Sequence, residues 1–144
     1  MDLRYEKASE EDIEVLFHFN RELIDAYEDP AAIDREAVLS WVRRKLTNKI
    51  GEYTCVLADG EKAAWYRFVP SEGKMELDDL YVLSEYRNRG IGTAIIEKCF
   101  RETELPVFLY VFIRNLGAVR LYDRLGFCVI EKLGETRYIM QRDK

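Results

Sequence analysis

Residues 74–113 constrain this chain more than any other stretch. Lys74–Val82 reads as a strand, Ser84–Arg89 as a polar loop, and about Ile91–Glu102 as a helix that opens on Gly90 and Gly92. Pro106 then precedes a strongly apolar strand, Val107–Ile113. Strand, helix and strand in that order form a crossover connection, so the two strands are expected to run parallel, or nearly so. Elsewhere the strand candidates are joined by short turns. Asp59-Gly60 lies between Tyr53–Ala58 and Lys62–Val69, which is a strong two-residue hairpin signal. Ser71-Glu72-Gly73 turns the chain again, and Cys128–Leu133 with Arg137–Gln141 reads as a closing hairpin around Gly134. The expectation is one parallel step inside a mostly antiparallel sheet.

The remaining elements are mainly helices. Leu3–Lys7 is a short first strand, and Ser9-Glu10-Glu11-Asp12 resembles a capping box. Apolar residues at Ile13, Leu16, Phe17, Leu23, Ile24 and Tyr27 recur at helical spacing, so a helix over about 10–27 follows, ended by Glu28-Asp29-Pro30. Asp34 caps a second helix with Val38, Trp41, Val42 and Leu46 on one face. Asn115 caps a short helix, Leu116–Arg124, which Gly126 stops. The order is β-α-α-β-β-β-α-β-α-β-β, an α+β (mixed α/β) arrangement of about seven strands and about four helices. With 144 residues, no repeat and no linker, residues 1–144 are expected to form a single domain.

Composition narrows the function classes. The chain is 48% hydrophobic and 34% charged, which excludes disorder and low complexity. No apolar run approaches the roughly 18 residues of a membrane span, so no membrane partner is expected. The N-terminus is charged from Asp2 onward, unlike a signal peptide. A net charge of −5 makes nucleic acid a poor partner. Cys55, Cys99 and Cys128 are an odd number in apolar contexts, which reads as buried, reduced thiols of a cytoplasmic protein.

The chemistry concentrates in Arg87-Asn88-Arg89-Gly90-Ile91-Gly92-Thr93, directly after a strand and opening a helix. The first helical turn leaves backbone N–H groups unpaired, and the positive end of the dipole lies there too. Glycines let an anion approach, and Arg87 and Arg89 add two cations. A phosphate or pyrophosphate is the natural ligand. The loop lacks the Gly-Lys-Ser/Thr ending of a Walker loop, and Ile95 stands where a dinucleotide fingerprint needs Gly or Ala.

The stretch Leu80 to Gly92, with Arg87-x-x-Gly90-x-Gly92, resembles the acyl-CoA-binding motif of the GCN5-related N-acetyltransferase superfamily. Asn115-Leu116-Gly117-Ala118 through Tyr122 to Leu125-Gly126-Phe127 is similar to the second signature of that family. The family's usual Pro is Ser84 here, outside the phosphate cradle, and Ala64 replaces a frequent Gly. Leu77 to Val82, with its acidic pair, more weakly resembles the polyamine and thialysine branch.

The resemblance implies a sheet splayed between the fourth and fifth strands, acetyl-CoA as cosubstrate and no metal. It implies acetyl transfer to an amine by direct attack in a ternary complex. The N–H groups from Asn88 to Thr93 would hold the pyrophosphate, and main-chain groups of Leu80, Tyr81 and Val82 would pair with the pantetheine amides. Tyr122 matches the general acid of the family, and Asn115 its CoA-contacting Asn; Asn115 equally suits a plain helix cap. A tyrosine near pKa 10 can protonate a thiolate leaving group without prior ionisation.

The acceptor must shed a proton before attack. His18, in mid-helix between two phenylalanines, suits a structural or surface role. Carboxylates remain: Asp78 first, then Glu76 and Asp79, one of which would otherwise pair with Arg67. Strand alternation places Glu76, Asp78, Leu80 and Val82 on one face and Leu77, Asp79 and Tyr81 on the other. Specificity in this fold usually comes from the first two helices and their connection, so Tyr27, Glu28, Asp29 and Asp78 are expected at the acceptor. Asp25 and Asp34 would add to a negative mouth for a small cationic amine such as a polyamine, an amino acid or an aminoglycoside. Arg43-Arg44-Lys45 reads as the polar face of the second helix. Two other readings stay open: a protein lysine or N-terminal acetyltransferase, and a non-catalytic acyl-CoA-binding module. Homodimers are common in the family, and no residue here decides the point.

Overall fold

The turn signals act as their chemistry dictates. Asp59 and Gly60 have φ of 50° and 87°, and Glu72 and Gly73 have φ of 49° and 81°. Paired positive φ values match the right-handed twist of the strands they join, so both connections are two-residue hairpins. In the computed structural model, which describes residues 1–144, these hairpins join β2 (Tyr53–Ala58), β3 (Glu61–Ser71) and β4 (Lys74–Val82). β1 (Leu3–Lys7), β5 (Val107–Phe112), β6 (Cys128–Leu133) and β7 (Arg137–Arg142) complete one seven-stranded sheet, ordered β1-β2-β3-β4-β5-β7-β6. Four helices accompany it: α1 (Ile13–Tyr27), α2 (Arg35–Lys49), α3 (Ile91–Arg101) and α4 (Leu116–Arg124).

Every neighbouring pair is antiparallel except β4 and β5. Those two run parallel, as the crossover through α3 requires. They pair only at Met75 with Val107 and Glu76 with Phe108, although β4 continues to Val82 and β5 to Phe112. The sheet therefore opens into a V beyond Glu76.

Each face of the sheet has its own core. Ile91, Ile95, Ile96 and Cys99 of α3 pack against Val56, Ala64, Leu77, Val107, Leu109 and Val111. On the other face, Leu16, Ile24, Val42 and Leu46 from α1 and α2 meet Tyr53, Cys55 and Trp65. Cores of this kind resist truncation: removing a fully buried aliphatic side chain costs about 2–5 kcal/mol.

Three local expectations change. Glu10–Asp12 is a short 3-10 turn, with α1 proper beginning at Ile13; Asp12 Oδ2 accepts the Ser9 N–H at 2.9 Å, completing the capping box. Trp41 is 56% exposed, because the buried face of α2 narrows to Val42 and Leu46. Cys128 is exposed on the sheet-edge strand β6, whereas Cys55 and Cys99 are buried and burial lifts their thiols to about 11 and about 12. No helix is long and apolar enough to cross a membrane.

Candidate active site

The loop from Arg87 to Thr93 lies where β4 ends and α3 begins. Asn88 and Gly90 both take left-handed backbone, at φ 63° and 82°, which folds the chain tightly into the first helical turn. A Cβ at Gly90 would meet nothing within 4 Å, so glycine is required there for its φ rather than for space. No side chain caps the helix, so the N–H groups of its first turn, at Ile91, Gly92 and Thr93, lack intrahelical acceptors. The Ile91 side chain is buried in the core, so that residue offers only its backbone outward. A Cβ at Gly92 would reach only ordinary contact with Leu121, at 3.7 Å. Arg89 lies over the Tyr86 ring, 5.6 Å from its centroid. Arg87 Nε donates to the Val82 carbonyl at 3.0 Å, so Arg87 ties the loop to the end of β4.

The V beside the loop is bordered on β4 by Leu80, Tyr81 and Val82, and here the expected alternation fails. Trp65 faces Tyr81 and Arg67 faces Asp78, so Asp79 and Leu80 together oppose Tyr66 alone. This is a β-bulge, with Asp79 at φ 51°. One extra residue reverses the facing of everything beyond it. Leu80 and Val82 join Leu77 on the α3 core, and Tyr81 joins the α1–α2 core, stacked on Phe19 with centroids 4.3 Å apart. Asp78 and Asp79 end up side by side on the α2 face, rather than on opposite faces.

That face carries a charged network. Lys45 of α2 pairs with Asp78 and lies 3.6 Å from Asp79. Arg67 reaches Asp78 at 3.1 Å and Glu52 at 2.8 Å. Tyr53 donates its hydroxyl to Asp79 at 2.6 Å. Burial, then the charge of Asp78, raises the Asp79 carboxyl; burial, then the charge of Asp79, pushes the Tyr53 phenol far up. Lys45 is raised: burial opposes its charge, and the two aspartates outweigh that. The expectation that Lys45 belongs to a solvated face is therefore corrected. Acids on a central strand call for a cation, but nothing in the sequence singles out Lys45 from Arg43 and Arg44 as the one that supplies it. The alternative pairing of one acid with Arg67 is the one observed, and it falls on Asp78.

Glu76 stands apart. It lies on the same face, shares a pocket with Lys45, Arg67 and Asp78, and makes no hydrogen bond or ion pair. Burial first, and the nearby Asp78 second, raise its pKa above the ordinary glutamate value. His18 is exposed on α1 and pairs with Glu22 at 2.7 Å, a surface role.

On the α3 side, Tyr122 of α4 packs against the core, its ring 5.9 Å from that of Phe127. Its hydroxyl has no hydrogen-bond partner within the protein, and burial pushes its pKa up to about 12. Asn115 Oδ1 accepts the Ala118 N–H at 3.4 Å and thus caps α4.

The acids expected at a mouth on the α1–α2 connection each take a separate partner. Asp25 pairs with Arg35 at 2.8 Å, and Asp34 caps α2 through the Ala37 N–H. Asp29 accepts the Ala31 N–H at 3.0 Å in a turn of its own. Glu28 accepts from Thr136 at 2.8 Å, and Tyr27 lies 5.9 Å from the Phe112 ring. Tyr27 and Glu28 are thus brought to the far ends of β5 and the β6–β7 turn, while Asp78 sits beneath α2. Asp29 and Asp34 are held by backbone N–H groups two and three residues on, whereas Asp25 and Glu28 take side-chain partners from further along the chain.

The arrangement has known counterparts. The acetyltransferase (GNAT) family matches residues 11–127. Among curated proteins, the chain is 34% identical over 67 residues to an uncharacterized N-acetyltransferase of Methanocaldococcus jannaschii, covering 44% of this chain and 30% of that protein. It is 34% identical over 82 residues to a mycothiol acetyltransferase of Corynebacterium glutamicum, covering 52% of this chain and 28% of that one. The chain thus spans less than a third of the length of these relatives. Among solved structures, a PaiA N-acetyltransferase of Thermoplasma acidophilum in complex with coenzyme A aligns over 100% of both chains, with 25% identity and a TM-score of 0.73. An N-acetyltransferase of Staphylococcus aureus Mu50 shares the fold at 13% identity and a TM-score of 0.74, over 96% of this chain and 99% of that one. A parallel strand pair that parts below an uncapped, glycine-opened helix, matched by the family over most of its length, places this chain in the acetyltransferase (GNAT) family.

Proposed function

We propose that this protein transfers the acetyl group of acetyl-CoA to a primary amine of a small molecule by direct attack in a ternary complex. The observation that carries this reading is the V between β4 and β5, opening after only two residue pairs beside the free N–H groups of α3. The residues fit such a cosubstrate. Backbone N–H groups from Asn88 to Thr93 hold a pyrophosphate against the positive helix end, with Arg89 adjacent. Exposed main-chain groups of Leu80 and Tyr81 edge the V and offer strand-like hydrogen bonds to an extended amide chain. Val82 offers its own only when Arg87 releases its carbonyl. Asn115 joins the same ligand while capping α4.

Bound acetyl-CoA would supply the electrophilic thioester carbonyl. Tyr122, raised to about 12, keeps its proton at neutral pH and holds it on Oη for the departing sulfur. The base is Glu76 rather than Asp78. Asp78 Oδ2 is shared between Lys45 and Arg67, so the lone pairs that would take a proton are already occupied. Glu76 is unpaired and raised, so its ionised form takes a proton from an ammonium more readily.

A panel of primary amines, with acetyl-CoA supplied and free thiol followed, tests the reading. CoA release that depends on one or more amines supports it. Binding of acetyl-CoA without release on any amine would instead mark a non-catalytic acyl-CoA-binding module.

A further inference from the structure

On the α2 face, a pocket of about 560 Å³ opens between α2, the end of β3 and the start of β4. Its wall carries four cations, Arg44, Lys45, Lys49 and Arg67. Lys45 and Arg67 are engaged by Asp78, Asp79 and Glu52. Arg44 and Lys49 are exposed and pair with no carboxylate. The only unengaged carboxylate on the same wall is Glu76.

The pocket therefore offers two free cations and one free, proton-accepting acid. Among the acids of the α1–α2 connection only Asp25 is charge-paired, to Arg35; Glu28, Asp29 and Asp34 keep their charge while accepting neutral donors, and none of the four lines this pocket. Within this pocket, Arg44 and Lys49 against Glu76 suit a zwitterion better than a polyamine. The volume lies within the range of about 300–1,000 Å³ usual for small-molecule sites. Trp41 forms one rim, with its ring 5.7 Å from Lys45 Nζ, and gives an apolar surface for carbon.

We propose that this pocket binds a carboxylate of the acceptor, so that the acceptor is an amino-acid-like amine. Its carboxylate lies between Arg44 and Lys49, where a guanidinium can bind it through two parallel hydrogen bonds, and its amine turns to Glu76. The proposal rests on the acetyl-transfer reading above, and adds to it the charge of the acceptor.

Matched pairs test it: leucine with isoamylamine, and lysine with cadaverine, each assayed for release of free CoA thiol. The carboxylate-bearing member should have a kcat/KM at least about tenfold higher, as expected for one charge-assisted contact. The double substitution Arg44→Glu with Lys49→Glu should bring that ratio to unity or below, chiefly through KM. A wild-type ratio at or below unity overturns the proposal. Calorimetry with CoA present gives a readout that needs no turnover. N-acetylleucine should bind about tenfold more tightly than N-acetylisoamylamine, and the double variant should lose that difference. Equal binding of the two to the wild type overturns the proposal. If no amine releases CoA while N-acetylleucine still binds through Arg44 and Lys49, the transfer reading fails and the carboxylate pocket stands.

Discussion

The two faces of β4 differ in what they ask of the sequence. Toward α3, Leu77, Leu80 and Val82 meet an apolar core, beside which lie the backbone N–H groups of an uncapped helix and the Tyr122 phenol. Toward α2, Asp78 and Asp79 meet Lys45, Arg67 and Tyr53, and Glu76 stands unpaired beside them, so this face is built of charged side chains. The α3 face presents a left-handed glycine, an uncapped helix and the Tyr122 phenol, features set mainly by backbone geometry and the apolar core. On the α2 face the free charges follow from which pairs form around them, and this is the face to which the proposal assigns the choice of acceptor. The bulge at Asp79 joins the two regions, turning Leu80 toward the core while the two aspartates share a cation.

The comparison breaks most visibly if the cation under β4 is removed. Lys45→Met leaves two aspartates without their shared partner. Breaking a buried ion pair from one side costs about 3–5 kcal/mol, so denaturant unfolding should show a loss of that order. An unchanged midpoint would mean the network is not stabilising. Tyr122→Phe tests the other face. It should lower kcat by about 10²–10³-fold while acetyl-CoA affinity stays within about twofold, since it removes a proton and no contact to the phosphates. Unchanged turnover would end the proposed acid role.

Glu76→Gln sharpens the choice of base. It should reduce kcat/KM by about 10–10²-fold, with partial recovery at higher pH as more acceptor arrives deprotonated. If Asp78→Asn gives that pH-dependent loss instead, Asp78 is the base. The stability sign is opposite to that of a paired acid. The folded pKa of Glu76 lies above the ordinary value of 4.5, so the folded state binds the extra proton. Its contribution therefore favours folding at low pH and is lost as pH rises from the ordinary value through the raised one. Glu76→Gln should flatten that part of the stability profile, measured by thermal unfolding across pH. The smallest effect is expected for Tyr53→Phe, which removes the hydroxyl donor to Asp79. The loss should be about 1–3 kcal/mol, with lower kcat at unchanged acetyl-CoA affinity if the bulge relaxes.

Much of the α3 side was legible in the sequence, because its signals are local. The turn at Asp59-Gly60, the glycine-opened helix and the single crossover each follow from neighbouring residues. The α2 side was not, for two reasons. Period-2 alternation cannot foresee an inserted bulge residue, so Leu80 and Val82 were placed with Glu76 and Asp78 when they belong with Leu77. Nor can a helix pattern show that Lys45, beside Leu46 on α2, turns inward to acids on β4, far along the chain.

By itself the sequence determined the order of elements, the one parallel step, the anion-ready loop and the family motifs around Tyr122. These depend on backbone conformation and short-range periodicity, which neighbouring residues dictate. Only the tertiary structure decided which acids are free. Net charge at a site is what remains after ion pairing, and Asp25 and Asp78 were paired by Arg35, Lys45 and Arg67, partners that folding brought to them. Glu76, Arg44 and Lys49 were left unpaired by that same folding, so the charge of the pocket beneath α2 is a property of the packed molecule rather than of any segment of the chain.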